Sequence, residues 1–115
     1  MTLEELSREI GARLLIRGRE TGSKITRVYA GNRMSDLLEH AAADTLLVTN
    51  LANPHLFRIA ELMDVPGICL PDGASLEPDL LEAASKSGTA VLSSTLGMWE
   101  TCRRLDRCLQ VGSET

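Results

Sequence analysis

The side chains suited to acid–base or ligand chemistry are few and scattered in this 115-residue chain. His40 and His55 are its two histidines, and each can serve as an acid, a base or a ligand near neutral pH. Neither has a convincing partner in sequence, so both are read as surface or capping residues. The three cysteines, Cys69, Cys102 and Cys108, include no pair at the two-residue spacing of zinc and redox sites. Cys102 and Cys108 fall about 240° apart around an expected helix, which excludes a local disulfide or a shared metal. All three are expected to be reduced thiols packing as small hydrophobes. No catalytic residue, metal site or cofactor is expected from this set.

Binding chemistry is better represented. Three segments join small or hydroxyl side chains to an expected helix start: residues 31–36 with Gly31, Ser35 and Asp36, residues 49–55 with Thr49, Asn50, Asn53 and His55, and residues 93–97 with Ser94 and Thr95. The free N–H groups of a helix start favour a phosphate or carboxylate. The competing reading is that Ser35, Asp36, Asn53 and Thr95 only cap their own helices. Pro71-Asp72-Gly73 ranks lower, because turn geometry alone accounts for it. Arg103, Arg104 and Arg107 can meet an acidic partner or phosphate, or can complement the C-terminal end of a helix. Met98 and Trp99 are the candidate contact patch between subunits, since aromatic residues are enriched at interface centres.

These residues need elements to position them. Thr2 and Glu5 have capping-box spacing ahead of Leu3, Leu6 and Ile10, predicting a short helix that ends at Gly11. The apolar run 12–17, a polar turn over 18–23 and a β-branched stretch around Ile25, Val28 and Tyr29 predict two strands joined by a loop. Ser35 and Asp36 can cap a helix from Leu37 to about Ala43, and 45–49 is a buried strand. Asn53-Pro54 starts a helix with Leu56, Ile59, Ala60 and Met63 on one face, ended by Val65-Pro66. Residues 67–70 form another strand, and Glu77-Pro78 opens a helix that turns Leu80, Leu81 and Ala84 inward and closes at Gly88. Residues 90–93 supply a further strand, and Thr95 is the candidate cap of a last helix carrying Met98, Cys102, Leu105 and Leu109 on one side. Met34, Met63 and Met98 are gap fillers for the core.

Strand and helix alternate regularly through the second half, which predicts an α/β domain with a mostly parallel or mixed sheet. Hydrophobic residues are 43% and charged residues 24% of the chain, ordinary globular values, while aromatics are only 3%, so the core must be aliphatic. One domain is expected over 1–111, with a frayed tail at 112–115. A net charge of −4 argues against nucleic acid as a partner. No stretch is apolar and long enough for a bilayer or a signal peptide, giving the expectation of a cytoplasmic protein without membrane contact.

The order of motifs resembles the DRTGG domain over about residues 2–109. The residues that carry this are Ala12-Arg13-Leu14-Leu15, Val28-Tyr29-Ala30-Gly31 before Met34-Ser35-Asp36-Leu37-Leu38, and Leu46-Leu47-Val48-Thr49. They continue with Pro66-Gly67-Ile68-Cys69-Leu70, Pro71-Asp72-Gly73 and Ala90-Val91-Leu92-Ser93-Ser94-Thr95. The chain is more distantly similar to the N-terminal domain of HPr kinase/phosphorylase, which implies about five short strands with helices on both faces, a three-layer arrangement. The kinase activity of that family belongs to a separate P-loop domain, and this sequence has no Gly-x-x-x-x-Gly-Lys-Ser/Thr. DRTGG domains accompany CBS domains, and stand-alone relatives occur beside iron-only hydrogenases. The resemblance thus implies a regulatory, ligand-sensing role, with a nucleotide or phosphorylated small molecule or a protein as partner, and an accessory place beside iron-only hydrogenases or in redox metabolism. Where relatives place a Gly-Asp-Arg type segment, this chain has Asn50-Leu51-Ala52-Asn53-Pro54-His55. The expectation is a non-enzymatic homodimer. Its rivals are a protein-interaction scaffold and a phosphotransfer enzyme.

Overall fold

The computed structural model describes residues 1–19 and 24–113, with side chains through Gln110. Residues 20–23 of the expected polar turn and the last two of the expected tail lie outside the described residues. Helix α1, Leu3–Ile10, begins where its sequence says it should: the Thr2 hydroxyl accepts the Glu5 N–H at 3.3 Å, and the Glu5 carboxylate accepts the Thr2 N–H at 3.0 Å. Strands β1, Arg13–Ile16, and β2, Arg27–Ala30, follow. Then come α2, Met34–His40; β3, Thr45–Val48; α3, Pro54–Leu62; β4, Gly67–Leu70; α4, Pro78–Ser87; β5, Ala90–Ser93; and α5, Met98–Ser113.

The five strands form one sheet in the order β1-β5-β4-β3-β2, with β2 to β5 mutually parallel and β1 antiparallel to β5. The sheet is therefore mixed, and the fold class is the expected one. Strands β1 and β2, consecutive in sequence, occupy opposite edges. From β2 to β5 each strand lies beside its predecessor, so right-handed crossovers put α2, α3 and α4 on one face. There Leu47, Ile68 and Val91 of the sheet meet Leu37, Phe57 and Ala84 of those helices. The alternate side chains, Leu46, Cys69 and Leu92, meet Leu6 of α1 and Leu105 of α5 on the other face. β3, β4 and β5 are buried along their whole lengths, which explains why Leu46–Val48, Ile68–Leu70 and Ala90–Leu92 run apolar instead of alternating.

Several helix boundaries differ from the expected ones. Arg33 occupies the N-cap of α2 and makes no side-chain cap bond, so Ser35 and Asp36 lie within the first turn and cap nothing. Packing sets this start: Met34 and Leu37, three apart, both reach the core. α2 also ends at His40 rather than Ala43. Thr95 does not cap α5, because the first turn closes on the Gly97 carbonyl, which accepts the Thr101 N–H at 2.9 Å. Met63, at the C-cap of α3, is 42% exposed, and the inward face of the helix is carried by Leu56, Phe57 and Ala60. Leu81 points outward at 37% exposure, rotated about 100° from Leu80, which packs inward with Ala84. α5 continues to Ser113, past the expected start of the tail, so Arg103, Arg104 and Arg107 are mid-helix residues and its last turn holds no base.

Candidate functional site

Four parallel strands end on the same edge of the sheet, and the loops that follow them carry the candidate residues. Their order follows the sheet: loop 31–33 beside loop 49–53, then loop 71–77, then loop 94–97. With about 4.8 Å between neighbouring strands, the outermost pair stands about 14 Å apart. The three expected loops therefore share an edge without being contiguous. The Pro71-Asp72-Gly73 turn, ranked below them in sequence, lies between the second and the third.

The edge is organised as two laced corners. At the first, Asn32 is the hub: its side-chain oxygen accepts the Asn50 N–H at 2.8 Å and the Thr49 hydroxyl at 3.2 Å, and that hydroxyl in turn accepts the Leu51 N–H at 3.0 Å. Gly31 donates its N–H to the Val48 carbonyl. A Cβ at Gly31 would stand 3.1 Å from the Tyr29 ring, so any larger residue there must push that ring aside. Tyr29 itself stacks on His40 with centroids 3.8 Å apart, and His40 Nδ1 lies 2.9 Å from the Asp36 carbonyl oxygen. The histidine without a partner in sequence thus finds one across the strand–helix contact.

At the second corner the Asp72 N–H donates to the Leu96 carbonyl at 2.8 Å, the Gly73 N–H to the Ser94 carbonyl at 2.7 Å, and the Ser93 hydroxyl to the Ala74 carbonyl at 2.7 Å. Asp72 and Gly73 both adopt positive φ, 61° and 67°, which lets the turn bring both N–H groups toward loop 94–97. Ser94 is buried and bonded to the Thr101 hydroxyl at 2.9 Å, and it accepts the Leu96 N–H at 3.1 Å. The chain leaves β4 for α4 on one face and leaves β5 for α5 on the other. This corner is thus the topological switch point, where open α/β sheets hold ligands.

Thr49, Asn53 and Ser94 direct their polar atoms into local structure; Asn53 accepts the Leu56 N–H at 2.9 Å as the N-cap of α3. Ser35, Asn50 and Thr95 are exposed, and Asp36 lies 3.9 Å from the Arg33 guanidinium. His55 instead lines a groove between α3 and α4 with Phe57, Arg58 and Lys86. Met98 packs into the α1/α5 core, leaving Trp99 alone of the expected pair to stand outward, 76% exposed. Asn32, inside the first expected segment but not singled out there, and Asp72, ranked lower on turn geometry, are the residues that organise the two corners. Only their position directly after a strand signals either.

The four loops with the first turns of their helices hold one arginine, Arg33, against Asp36, Asp72, Glu77, Asp79 and Glu100, so the edge is acidic and an anion there would be held by N–H groups of the helix starts and not by net charge. Burial pushes the Cys69 thiol up to about 12 and raises Cys102 and Cys108 as well, so none of the three is an activated thiolate. Among the described residues no three His, Cys, Asp or Glu side chains group as metal ligands, and no helix is long and apolar enough to cross a membrane.

Comparison with known proteins gives the fold and stops there. No family model matches the sequence, and no curated protein matches it. A solved structure does: the CBS and DRTGG domains of the regulatory region of Clostridium perfringens pyrophosphatase, complexed with its activator diadenosine tetraphosphate. It superposes with a TM-score of 0.65 at 12% identity, over 91% of this chain and 46% of that one. This chain thus spans about half the length of that structure, and its five-stranded, three-layer α/β architecture is DRTGG-like.

Proposed function

We propose that this protein is a non-enzymatic, cytoplasmic regulatory module that senses a nucleotide or other phosphorylated small molecule at the carboxyl edge of its sheet, and that it works as a homodimer. The observation that carries this reading is the switch point between β4 and β5. There the backbone turns of loops 71–77 and 94–97 face one another, a few strand widths from the Asn32 corner. The fold neighbour supports it, since that structure is a regulatory region holding a nucleotide activator. The spacing adds a size requirement: the Asn32 loop and loop 94–97 stand three strand widths apart, so a ligand that touches both must span about 14 Å, the length of a nucleotide or more. The resemblance to stand-alone DRTGG-like proteins extends the proposal to an accessory role beside iron-only hydrogenases or in redox metabolism.

Thermal unfolding in the presence of mononucleotides, dinucleoside polyphosphates and inorganic phosphate, each with and without Mg²⁺, tests the reading. A nucleotide at 100 times its dissociation constant should add about 2.7 kcal/mol of stability, and phosphate alone should add little. Asn32→Ala should weaken the shift. If no compound raises the melting temperature, the second reading takes over: an interaction scaffold that recruits a protein, recognisable by recovery of one stoichiometric partner. Phosphate release from ATP by the pure protein would instead restore the enzyme.

A further inference from the structure

Helix α5 has two unlike faces. Met98, Leu105 and Leu109 pack into the core with α1 and the sheet. On the outer side Trp99, Cys102, Arg103, Asp106, Arg107 and Gln110 line one shallow concavity. Trp99 is the chain's single tryptophan, and most of its indole lies in water. Covering it is the largest apolar gain this face can offer.

We propose that the outer face of α5 is the homodimer interface, with α5 of one copy packed antiparallel against α5 of a second copy about a twofold axis. The inference rests on the dimeric part of the reading above and adds the surface and its residues. The charges identify the occupant. With the axis passing between Arg103 and Asp106, Arg103 of each copy faces Asp106 of the other. The same register sets Cys102 against Arg107 and lays Trp99 on the turn that carries Gln110. An isologous contact of this kind makes two ion pairs from one sequence. Parallel pairing would instead oppose Arg103 to Arg103 and Arg107 to Arg107. Arg103 already donates one N–H to Glu100, and its guanidinium keeps further donors for the second copy.

Sedimentation equilibrium of the ligand-free protein across the micromolar range provides the test, with emission of the single tryptophan as a second readout. Wild type should dimerise and shift its emission to the blue as concentration rises. Trp99→Ala should raise the dissociation constant about 30-fold, the effect of removing an interface anchor. Asp106→Arg should give a monomer, and adding Arg103→Asp to it should restore the dimer, because opposite signs again face one another. Circular dichroism confirms that each variant keeps its helices. A wild-type monomer, a dimer indifferent to these changes, or a natively helical double variant that stays monomeric would overturn the proposal. Nucleotide-induced stabilisation of monomeric Asp106→Arg would show that ligand sensing stands without this interface.

Discussion

Asn53 and Thr95 are polar residues of similar size, each a few positions after a parallel strand, yet they do different work. Asn53 gives its side-chain oxygen to the Leu56 N–H, with Pro54 in the first turn behind it, and so satisfies a donor that the helix cannot. Thr95 is exposed, and the start of α5 is held instead by Ser94, buried and bonded to both Leu96 N–H and Thr101. Asn53→Ala should therefore cost about 1 kcal/mol. Thr95→Ala should stay within about 0.5 kcal/mol. Urea denaturation of the two variants side by side measures the difference, and equal losses would mean that Thr95 supports α5 in a way the hydrogen bonds do not show.

Elements are joined here by single polar residues as well as by packing. Asp44, just before β3, accepts the Thr26 hydroxyl, the Arg27 guanidinium and the Thr45 hydroxyl, tying the start of β2 to the start of β3. The Thr26 hydroxyl, with help from Arg27, holds the Asp44 carboxyl below its ordinary value. A carboxyl depressed in the folded state adds stability above its unfolded pKa and loses it as pH falls through the folded one. Asp44→Asn should accordingly lower the urea midpoint at pH 6, and the difference from wild type should shrink as pH falls through the lowered folded-state value, the loss being small because the pair is solvated. At this scale the sequence was informative where the signal is local. The capping box at Thr2, the Asn53-Pro54 start, the Gly88 stop and the doubly buried runs of β3, β4 and β5 are written in neighbouring residues. The starts of α2 and α5, the outward turn of Leu81 and Met63 and the stacking of His40 on Tyr29 are not, because packing against distant segments decides them. The candidate site was legible in the same degree: the strand-end loops could be named, but their order along the edge depends on the sheet order, which places the demoted Asp72 turn at the switch point.

In the whole molecule, two helical layers enclose a sheet whose central strand is β4, and Cys69 on that strand faces the α1/α5 side. No solvent reaches it, and burial alone raises its thiol to about 12. Cys102 and Cys108 lie on α5 and are only partly covered. Modifying Cys69 therefore requires α1 and α5 to leave the sheet, and those two helices close the face that holds Leu46, Val48 and Leu92. Because that face is half of the core, its opening is global unfolding and not a local excursion. A thiol reagent at neutral pH should thus label Cys108 in the native protein, label Cys102 where the α5 face is uncovered as in monomeric Asp106→Arg, and reach Cys69 only in denaturant, at a rate that follows unfolding. Mass spectrometry of the labelled peptides distinguishes the sites. Prompt labelling of Cys69 under native conditions would mean that α1 and α5 form a detachable layer, and the domain would then be two cooperative units sharing one sheet.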